Sequence, residues 1–430
     1  MGPLRRAWTD YRDAVRAFSR PARVYLLTEF LAWTAHGVYQ VLFNLYLVRA
    51  GHGPAVVGHA ISLVGIGLAV AAIPAGVLAN RWGRRRCILL GATLDGLGNV
   101  LRVIAPQLPV IYGASLIAGV GQAFLQISGY PFLTEHSTPR ERTHLFSAFF
   151  AVALLAGVVG NALGGWLPGM LSGGAGGFAL DLTRAYQVAL VLGGAIALLG
   201  TIPMLRLRVL DARLDGGSRR IEGPVRARLV PIGVNALLIG AGAGLVIPFM
   251  NLYFAQRFQC SSAQIGSFFS IAQVCTAAAS LLGPALARRY GKLRTAVGAE
   301  LMSLPFLVTL GAEHSLSLAV GAFWIRATLM QAASPLLGTF VMEALPPAYR
   351  AHATSLTNLA WNIGWSISAT LAGVVIQHFG YSVPFYITAV LYGAAALYFY
   401  FSFRNTPETA DEPRLSEEAK GLRGEGPVTE

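Results

Sequence analysis

Charged residues are scarce in this chain. Asp, Glu, Lys and Arg make up 12% of its 430 residues, whereas 54% of the residues are hydrophobic. Because a soluble protein usually carries about 25% charged residues, this composition excludes an ordinary soluble globular protein. The apolar residues instead form many stretches of about 20 residues, the length that crosses about 30 Å of hydrocarbon.

Cysteines and the motifs of chemical catalysis are also few. The three cysteines, Cys87, Cys260 and Cys275, show no paired spacing of the kind that builds a disulfide framework or a metal site. The sequence has no Gly-rich phosphate loop ending in Lys-Ser or Lys-Thr, no His-Glu-x-x-His motif and no nucleophile–base arrangement. We therefore expect no ATP motor, no metal, no other cofactor and no enzyme activity. We also expect no cleavable signal peptide, because an Arg-rich segment leads directly into a long apolar span.

The net charge of +13 follows a spatial pattern. Basic residues cluster before residue 24, at 80–86, at 206–228, at 288–294 and after residue 403. These clusters fall in every second loop, which is the positive-inside pattern of membrane proteins. The charge therefore predicts two cytoplasmic termini and a cytoplasmic linker rather than nucleic-acid binding.

Twelve apolar spans are predicted, six on each side of the basic linker. The spans are 24–49, 55–79, 87–105, 109–134, 144–168, 185–205, 229–256, 262–287, 295–312, 315–345, 349–377 and 380–403. Helices are expected because alternation of polar and apolar residues is absent and each span must satisfy its own backbone groups. The N-terminal bundle is predicted at 24–205, the cytoplasmic linker at 206–228 and the C-terminal bundle at 229–403. Residues 1–23 are expected to form a cytoplasmic segment, either an interfacial helix or a frayed tail, and the acidic tail 404–430 is expected to be disordered.

The two halves repeat each other about 207 residues apart. Residues 44–47 (NLYL) recur as 251–254 (NLYF), and residues 78–84 (LANRWGR) recur as 286–292 (LARRYGK). The shift grows from 207 to 208 residues between these matches, which places one extra residue in the first loop of the second half. A long membrane chain that duplicates itself in this way indicates a two-bundle secondary transporter.

The loop 76–86 (GVLANRWGRRR) resembles the signature loop of the major facilitator superfamily, and a weaker copy lies at 283–294. With the twelve spans and the central linker, the resemblance covers nearly the whole chain. It implies an all-α membrane protein with twelve transmembrane helices in two pseudo-symmetric six-helix bundles, usually a monomer, that works by alternating access. In that family an Asp of the loop helps to latch the cytoplasmic ends of the bundles together, whereas this chain has Asn80, which supplies no charge.

The two signature loops and the following Glu…Pro…Arg segments supply the candidates for a cytoplasmic gate. Glycines permit tight turns, and arginines can reach helix carbonyls, acidic groups or lipid phosphates. Glu135 or Glu343 could supply the charge that Asn80 lacks, while membrane topology alone also explains the basic residues. The gate candidates are Gly76, Asn80, Arg81, Gly83, Arg84, Arg85, Glu135, Arg142, Arg289, Gly291, Glu343 and Arg350.

Ionisable residues inside the apolar spans are candidates for coupling, because each costs about 2.5–3.5 kcal/mol on the membrane-insertion scale. Glu29 and His36 lie seven residues apart in the first span and therefore nearly on one helical face. The resemblance implies that this helix lines the central cavity. We expect Glu29, His36 or both to carry protons, with a purely structural role as the alternative for each. The second half has Ala236 and Ala243 at the equivalent positions.

Polar and aromatic residues at helical spacing supply the candidates for a substrate pathway. They are Trp33, Gln40, Gln122, Gln126, Arg326, Gln331, Asn358, Trp361, Asn362 and Trp365. Arg326 could bind an anionic substrate group or pair with a carboxylate. Because the family places the third and ninth spans at the bundle periphery, Asp95 and Glu300 are expected to be structural.

The glycine-rich segment 157–165 resembles the family's antiporter motif, although Asn161 replaces its Pro and helix packing is the alternative explanation. We expect proton-coupled efflux of a small lipophilic or amphipathic compound across the cytoplasmic membrane. Uptake of a nutrient such as a sugar or an organic acid, a non-transporting membrane sensor and a membrane enzyme are the alternatives. The expected partners are the substrate, protons or another coupling ion, and the lipid bilayer.

Overall fold

The computed structural model describes residues 18–173, 179–207, 223–346 and 349–406. Within these ranges the chain is helical apart from short connections. The expectations for an interfacial helix before residue 18, for most of the basic linker and for the acidic tail beyond residue 406 lie outside the described residues.

The first half forms six long helices and one short helix in its described part. They are α1 (Arg20–Arg49), α2 (Pro54–Trp82), α3 (Arg84–Ile104), α4 (Leu108–Glu135), α5 (Pro139–Ser172), α6 (Leu182–Leu199) and α7 (Thr201–Leu205). Local sequence explains several of the helix starts. The Ser19 hydroxyl group accepts a hydrogen bond from the Ala22 N–H at 3.4 Å, and Thr138 with Glu141 forms a capping box before α5.

The second half repeats this order. Its helices are α8 (Gly223–Val246), α9 (Met250–Arg257), α10 (Ser262–Tyr290), α11 (Lys292–Ala312), α12 (Leu316–Glu343), α13 (Arg350–Phe379) and α14 (Ser382–Phe403). A 3₁₀ turn, Ile247–Phe249, separates α8 from α9. Pro248 lies in that turn, and because proline has no backbone N–H it cannot continue the α-helical hydrogen bonds. The two helices therefore form one interrupted span.

The number of long helical segments agrees with the predicted twelve. Ten segments of the described chain are long and apolar enough to cross a membrane. The helices α1 and α10, of 30 and 29 residues, are also long enough and bring the count to twelve. Polar side chains such as Glu29, His36 and Gln40 make α1 less apolar than the others. The predicted fold class is confirmed, and the predicted spans overlap all twelve segments.

Equivalent contacts in the two halves reflect the internal repeat. The Tyr46 hydroxyl group donates to the Val103 carbonyl at 2.7 Å, and the Tyr253 hydroxyl group donates to the Leu310 carbonyl at 2.7 Å. Each bond ties the first long span of its half to the third. The repeat in sequence is therefore also a repeat in packing.

Two faces of the molecule are distinguished below. The His52 side is where α1 ends and α2 begins, and the Gly83 side is where α2 ends and α3 begins. Both Gly83 and its repeat Gly291 have a positive φ, of 91° and 85°, a conformation that glycine adopts without a steric penalty. This freedom explains why both signature loops turn within a single residue.

The two halves contact each other on the His52 side. The helix α2 packs against α13, and α5 packs against α10. Glycines bring the backbones together, because a Cβ atom on Gly58 would lie 2.4 Å from the Ala369 carbonyl oxygen and one on Gly165 would lie 2.9 Å from that of Ser262. The Ser262 hydroxyl group also donates to the Gly165 carbonyl at 2.9 Å. These contacts seal the interface on this side.

Candidate functional site

A cavity of about 480 Å³ lies between the two halves. Its wall comes mainly from α8, α10, α12 and α13, while Gln40 of α1 and Asn161 of α5 represent the first half. The cavity extends from Met250 to Met342 and Thr354, which lie near the Gly83 side. It therefore runs from the sealed interface toward the opposite face of the molecule.

The cavity wall combines apolar side chains with many polar ones. Its apolar part includes Met330, Phe269 and Phe323, and amides project from Asn235 and Gln273. Pockets of this kind bind ligands by burying an apolar body while polar groups set its orientation. The arrangement suits an amphipathic small molecule.

Arg326, a predicted pathway residue, lies in the cavity wall and is 3% exposed. Its Nη2 atom donates to the Tyr392 hydroxyl group at 3.2 Å, and its guanidinium carbon lies 5.8 Å from the centre of the Tyr392 ring. Neither contact supplies a negative charge. Arg326 has no ion pair with a carboxylate within the described residues.

Glu300 also lies in the cavity wall and is 2% exposed. This position differs from the bundle periphery expected for the ninth span, while the expected structural role of Glu300 stays a prediction. The sequence could not show this, because α11 is apolar around most of its circumference and its rotation depends on packing. A carboxyl group in an apolar span was the available signal.

Trp361 and Asn358 of α13 line the cavity, as does Gln331 of α12. The Trp361 ring stacks on Trp365 with 4.9 Å between centroids and 24° between planes. The side-chain amide of Asn362 donates to the Asn358 carbonyl at 2.8 Å within the same helix. Of the predicted stripe, Asn358 and Trp361 therefore reach the cavity, Trp365 supports Trp361, and Asn362 bonds its own helix.

Side-chain contacts on α1 connect Glu29, Trp33 and His36. The Trp33 indole N–H donates to Glu29 Oε2 at 3.1 Å, and the Trp33 and His36 rings lie 5.3 Å apart, edge to face. Glu29 is buried, whereas Trp33, His36 and Gln40 are exposed. The structure thus brings the two proton-carrying candidates together around Trp33, whereas Gln40 alone of the four lines the cavity.

The two glutamines of α4 lie elsewhere. The Gln122 amide donates to Asp95 Oδ1 at 3.2 Å, and the Asn99 amide donates to the same oxygen at 3.0 Å. Gln122 therefore ties α4 to α3 inside the first half. Gln126 is exposed outside the cavity wall.

Ion pairs of the gate candidates lie within each half. Arg84 Nε lies 3.2 Å from Glu135 Oε1, and the repeat forms the corresponding pair between Lys292 and Glu343. Arg85 donates to the Met204 carbonyl at 3.0 Å through Nε. These contacts join the signature loops to helix ends of their own half.

The described contacts of the other arginine candidates also lie within one half. Arg142 Nη2 donates to the Thr134 carbonyl at 3.2 Å, and Arg350 Nε donates to the Leu345 carbonyl at 3.3 Å. The Arg289 guanidinium carbon lies 5.3 Å from the centre of the Tyr290 ring. Asn80 and Arg81 are exposed, and a Cβ atom on Gly76 would meet no atom within 4 Å. A latch between the halves stays a prediction.

The family comparison covers most of the chain. The sequence model of the Major Facilitator Superfamily matches residues 25–234 and 232–428. The 3-(3-hydroxy-phenyl)propionate transporter of Escherichia coli K12 is 28% identical over 175 residues, 40% of each chain. The drug efflux pump JefA of Mycobacterium tuberculosis is 30% identical over 102 residues, 23% of this chain and 20% of that protein. The chain thus matches less than half the length of either relative.

Solved structures share the fold at low sequence identity. A bacterial homologue of the human lysosomal transporter Spinster, in an inward-facing and occupied conformation, superposes with a TM-score of 0.75. It is 16% identical, and the match covers 92% of this chain and 97% of that one. A D-xylose–proton symporter superposes with a TM-score of 0.68 at 15% identity, covering 91% and 98% of the two chains.

Proposed function

The chain belongs to the major facilitator superfamily of membrane transporters, and we propose that it exports a lipophilic or amphipathic small molecule in exchange for protons. The observation that carries this proposal is the cavity of about 480 Å³ between the halves, whose wall combines apolar and polar side chains. A cavity at the interface of two repeats is where alternating access places a substrate.

We assign the Gly83 side to the cytoplasm. The basic clusters at 80–86 and 288–294 lie on this side, and basic loops remain cytoplasmic in multi-pass membrane proteins. This orientation places both termini and the linker 206–228 in the cytoplasm. The proposed bundles, 24–205 and 229–403, then lie in the membrane. The conformation is then inward-facing, because the His52 side is sealed and the cavity runs toward the Gly83 side.

Protons are the proposed source of energy. The sequence carries no ATP-binding loop, so the work has to come from a gradient. One charge that crosses about 100 mV releases about 2.3 kcal/mol, which maintains a roughly fortyfold gradient of a neutral solute. The connected set of Glu29, Trp33 and His36 is the proposed route by which a proton reaches the cavity.

The direction of transport is proposed from the relatives. JefA is named as a drug efflux pump, and another relative from Mycobacterium tuberculosis is named as a multidrug resistance protein B homologue. Uptake of an organic acid is the second candidate, because the Escherichia coli relative is named for a phenylpropionate and Arg326 offers a cation in the cavity.

Flux in proteoliposomes tests the proposal. Export predicts that purified protein moves a lipophilic dye against its gradient when a pH gradient is imposed, and that a proton uncoupler abolishes the effect. Uptake predicts instead that an aromatic carboxylate moves together with protons. Binding of either compound without flux under any imposed gradient would contradict transport and favour a sensor.

A further inference from the structure

Four polar side chains in the cavity wall contain an atom without a hydrogen-bond partner. They are Glu300 Oε2, Arg326 Nε, Asn161 Oδ1 and Asn235 Oδ1. Each of these residues is at least nine-tenths buried. A buried polar group without a partner costs free energy, and a buried charge costs more. Two of the four residues carry opposite charges, yet they form no ion pair with each other.

The internal repeat has alanine at the positions equivalent to these two residues. A shift of 208 residues relates Glu300 to Ala92 and Arg326 to Ala118. Both alanines are buried in the first half, with exposures of 7% and 0%. The equivalent helices of the first half, α3 and α4, therefore have alanine where α11 and α12 have a carboxyl group and a guanidinium group.

Contacts between neighbouring helices support the shift of 208 residues used in this comparison. In the first half Gln122 of α4 contacts Asp95 of α3 at 3.2 Å. In the second half Met330 of α12 contacts Ser303 of α11 at 3.4 Å, and both residues are shifted by 208. The equivalence of Glu300 with Ala92 and of Arg326 with Ala118 thus holds at this level of the bundle.

We propose that Glu300 and Arg326 form a binding subsite for amphoteric compounds, with Arg326 holding a substrate carboxylate and Glu300 holding a substrate amine. The proposal rests on the proposed function, because it takes the central cavity as the transport site. A zwitterionic head group would supply the missing partner of each of the two side chains. Phe323 and Trp361, in the same wall, would contact the aromatic body of the compound.

The Tyr392 hydroxyl group sets the orientation of Arg326. It accepts a hydrogen bond from Nη2 at 3.2 Å, which leaves Nε, without a partner, available for a carboxylate. Guanidinium groups bind carboxylates in a planar, directed geometry. Arg326 is therefore held in place before a ligand arrives.

A matched set of fluorescent probes tests the subsite on the purified full-length protein. Nε-dansyl-L-lysine carries an amine and a carboxylate, its methyl ester carries only the amine, and its Nα-acetyl derivative carries only the carboxylate. The zwitterion is expected to bind at least about tenfold more tightly than either derivative, since each charge-assisted hydrogen bond contributes at this level.

Substitutions assign each charge to its partner. Glu300→Gln should reduce the affinity for the zwitterion to that for the acetyl derivative, and Arg326→Gln should reduce it to that for the methyl ester. The double variant Glu300→Ala with Arg326→Ala reproduces the two alanines of the first half, so we expect it to fold and to bind all three probes alike. Asp95→Asn, at a half-buried acid outside the cavity, serves as the control and should retain the preference.

Several results would overturn the subsite. Equal binding of the three probes to the wild type, binding of none of them, or an unchanged preference in the double variant would each do so. A double variant that loses thermal stability but keeps the preference would show that the two charges serve the fold. Preferred binding without flux in proteoliposomes contradicts the proposed transport and leaves the subsite intact, whereas equal flux of all three probes contradicts the subsite alone.

Discussion

Equivalent residues differ most clearly between the first spans of the two halves, where Ala236 and Ala243 of α8 correspond to Glu29 and His36 of α1. Ala243 lines the cavity, whereas His36 is not among the residues of the cavity wall. Charged cavity residues of the second half, such as Glu300, correspond to alanine in the first. At the residue scale the two halves have thus specialised differently, with proposed proton carriers in one and a proposed substrate subsite in the other.

Glu29→Gln tests the proton route. A glutamine still accepts the hydrogen bond from Trp33 but cannot release a proton, so the fold should persist while coupling fails. We expect accumulation driven by a pH gradient to fall from as much as about fortyfold to none, with counterflow exchange retained. Flux in proteoliposomes measures both quantities, and Glu313→Gln, at the end of α11, is the control. An unchanged pH dependence would remove Glu29 from the coupling role.

Gln259 has a φ of 54°, the positive value that its repeat Gly51 also has, at 93°. A left-handed conformation costs a residue with a Cβ atom about 1–2 kcal/mol. We expect Gln259→Gly to stabilise the protein by about 0.5–1 kcal/mol, because it relieves this strain. Two smaller effects oppose the gain: the loss of one exposed hydrogen bond to Gln256 and the larger conformational entropy of the unfolded chain. Thermal unfolding in detergent measures the change. Gly51→Ala should destabilise by a similar amount, and equal stability of all three proteins would contradict the argument.

At the element scale the helices followed from the sequence, whereas their rotations did not. Length and hydropathy located all twelve spans, and the capping residues Ser19, Thr138 and Ser261 explain why α1, α5 and α10 begin where they do. In a soluble protein an apolar stripe would also orient each helix. A membrane helix is apolar toward lipid and toward its neighbours, so that signal is missing.

The consequences are visible in the candidate site. The sequence identified Arg326, Gln331, Asn358 and Trp361, all of which line the cavity, because polar or aromatic residues in apolar spans are conspicuous. It did not place Glu300 in the cavity wall, since only packing shows which way α11 turns. In the sequence Asn161 is only a departure from a glycine motif, whereas in the structure it lies in the cavity wall.

The close approach of α5 and α10 predicts how the sealed side can be opened. A Cβ atom on Gly165 would lie 2.9 Å from the Ser262 carbonyl oxygen, whereas one on Gly169, a turn later, would meet no atom within 4 Å. Gly165→Leu should therefore separate the helices and favour the state open to the His52 side. Overpacking costs about 1–3 kcal/mol, which corresponds to roughly a 5–150-fold change in population.

Labelling measures this shift. A cysteine at Gln40, in a background with the three native cysteines replaced by alanine, should react with an impermeant maleimide added on the His52 side in the Gly165→Leu variant. Gly169→Leu is the control and should label as the parent does. Equal labelling of the two leucine variants would show that this glycine contact does not control the interface.

At the scale of the whole molecule, alternation needs contacts that exist in one state and break in the other. Asn44 and its repeat Asn251 form a contact between the halves, and we expect this contact to break when the His52 side opens. The Asn44 amide donates to Asn251 Oδ1 at 3.0 Å, and the Asn251 amide donates to the carbonyls of Gln40 and Val41 at 3.0 Å each. The Asn44 amide also reaches the carbonyl of Pro248, in the turn that interrupts the α8–α9 span. Two equivalent asparagines thus bind each other on the His52 side.

Asn44→Leu and Asn251→Leu should each favour opening of the His52 side. Each variant removes hydrogen bonds that join the halves, and a bond of this kind contributes about 0.5–1.5 kcal/mol. The expected effect is therefore about 1–3 kcal/mol, or roughly a 5–150-fold change in the ratio of the two states. Nitroxide labels at Gln107 and Ser317, one in each half on this side, should report longer distances in both variants.

The control is Asn362→Leu, because the Asn362 amide bonds to Asn358 of its own helix and should leave these distances unchanged. Since Asn44 and Asn251 share one hydrogen bond, their effects should not add, and the double variant should shift the ratio by less than the product of the single shifts. Additive shifts would mean that the two residues act independently. Unchanged distances in both single variants would mean that the seal depends on the glycine contacts of α2 and α5 alone.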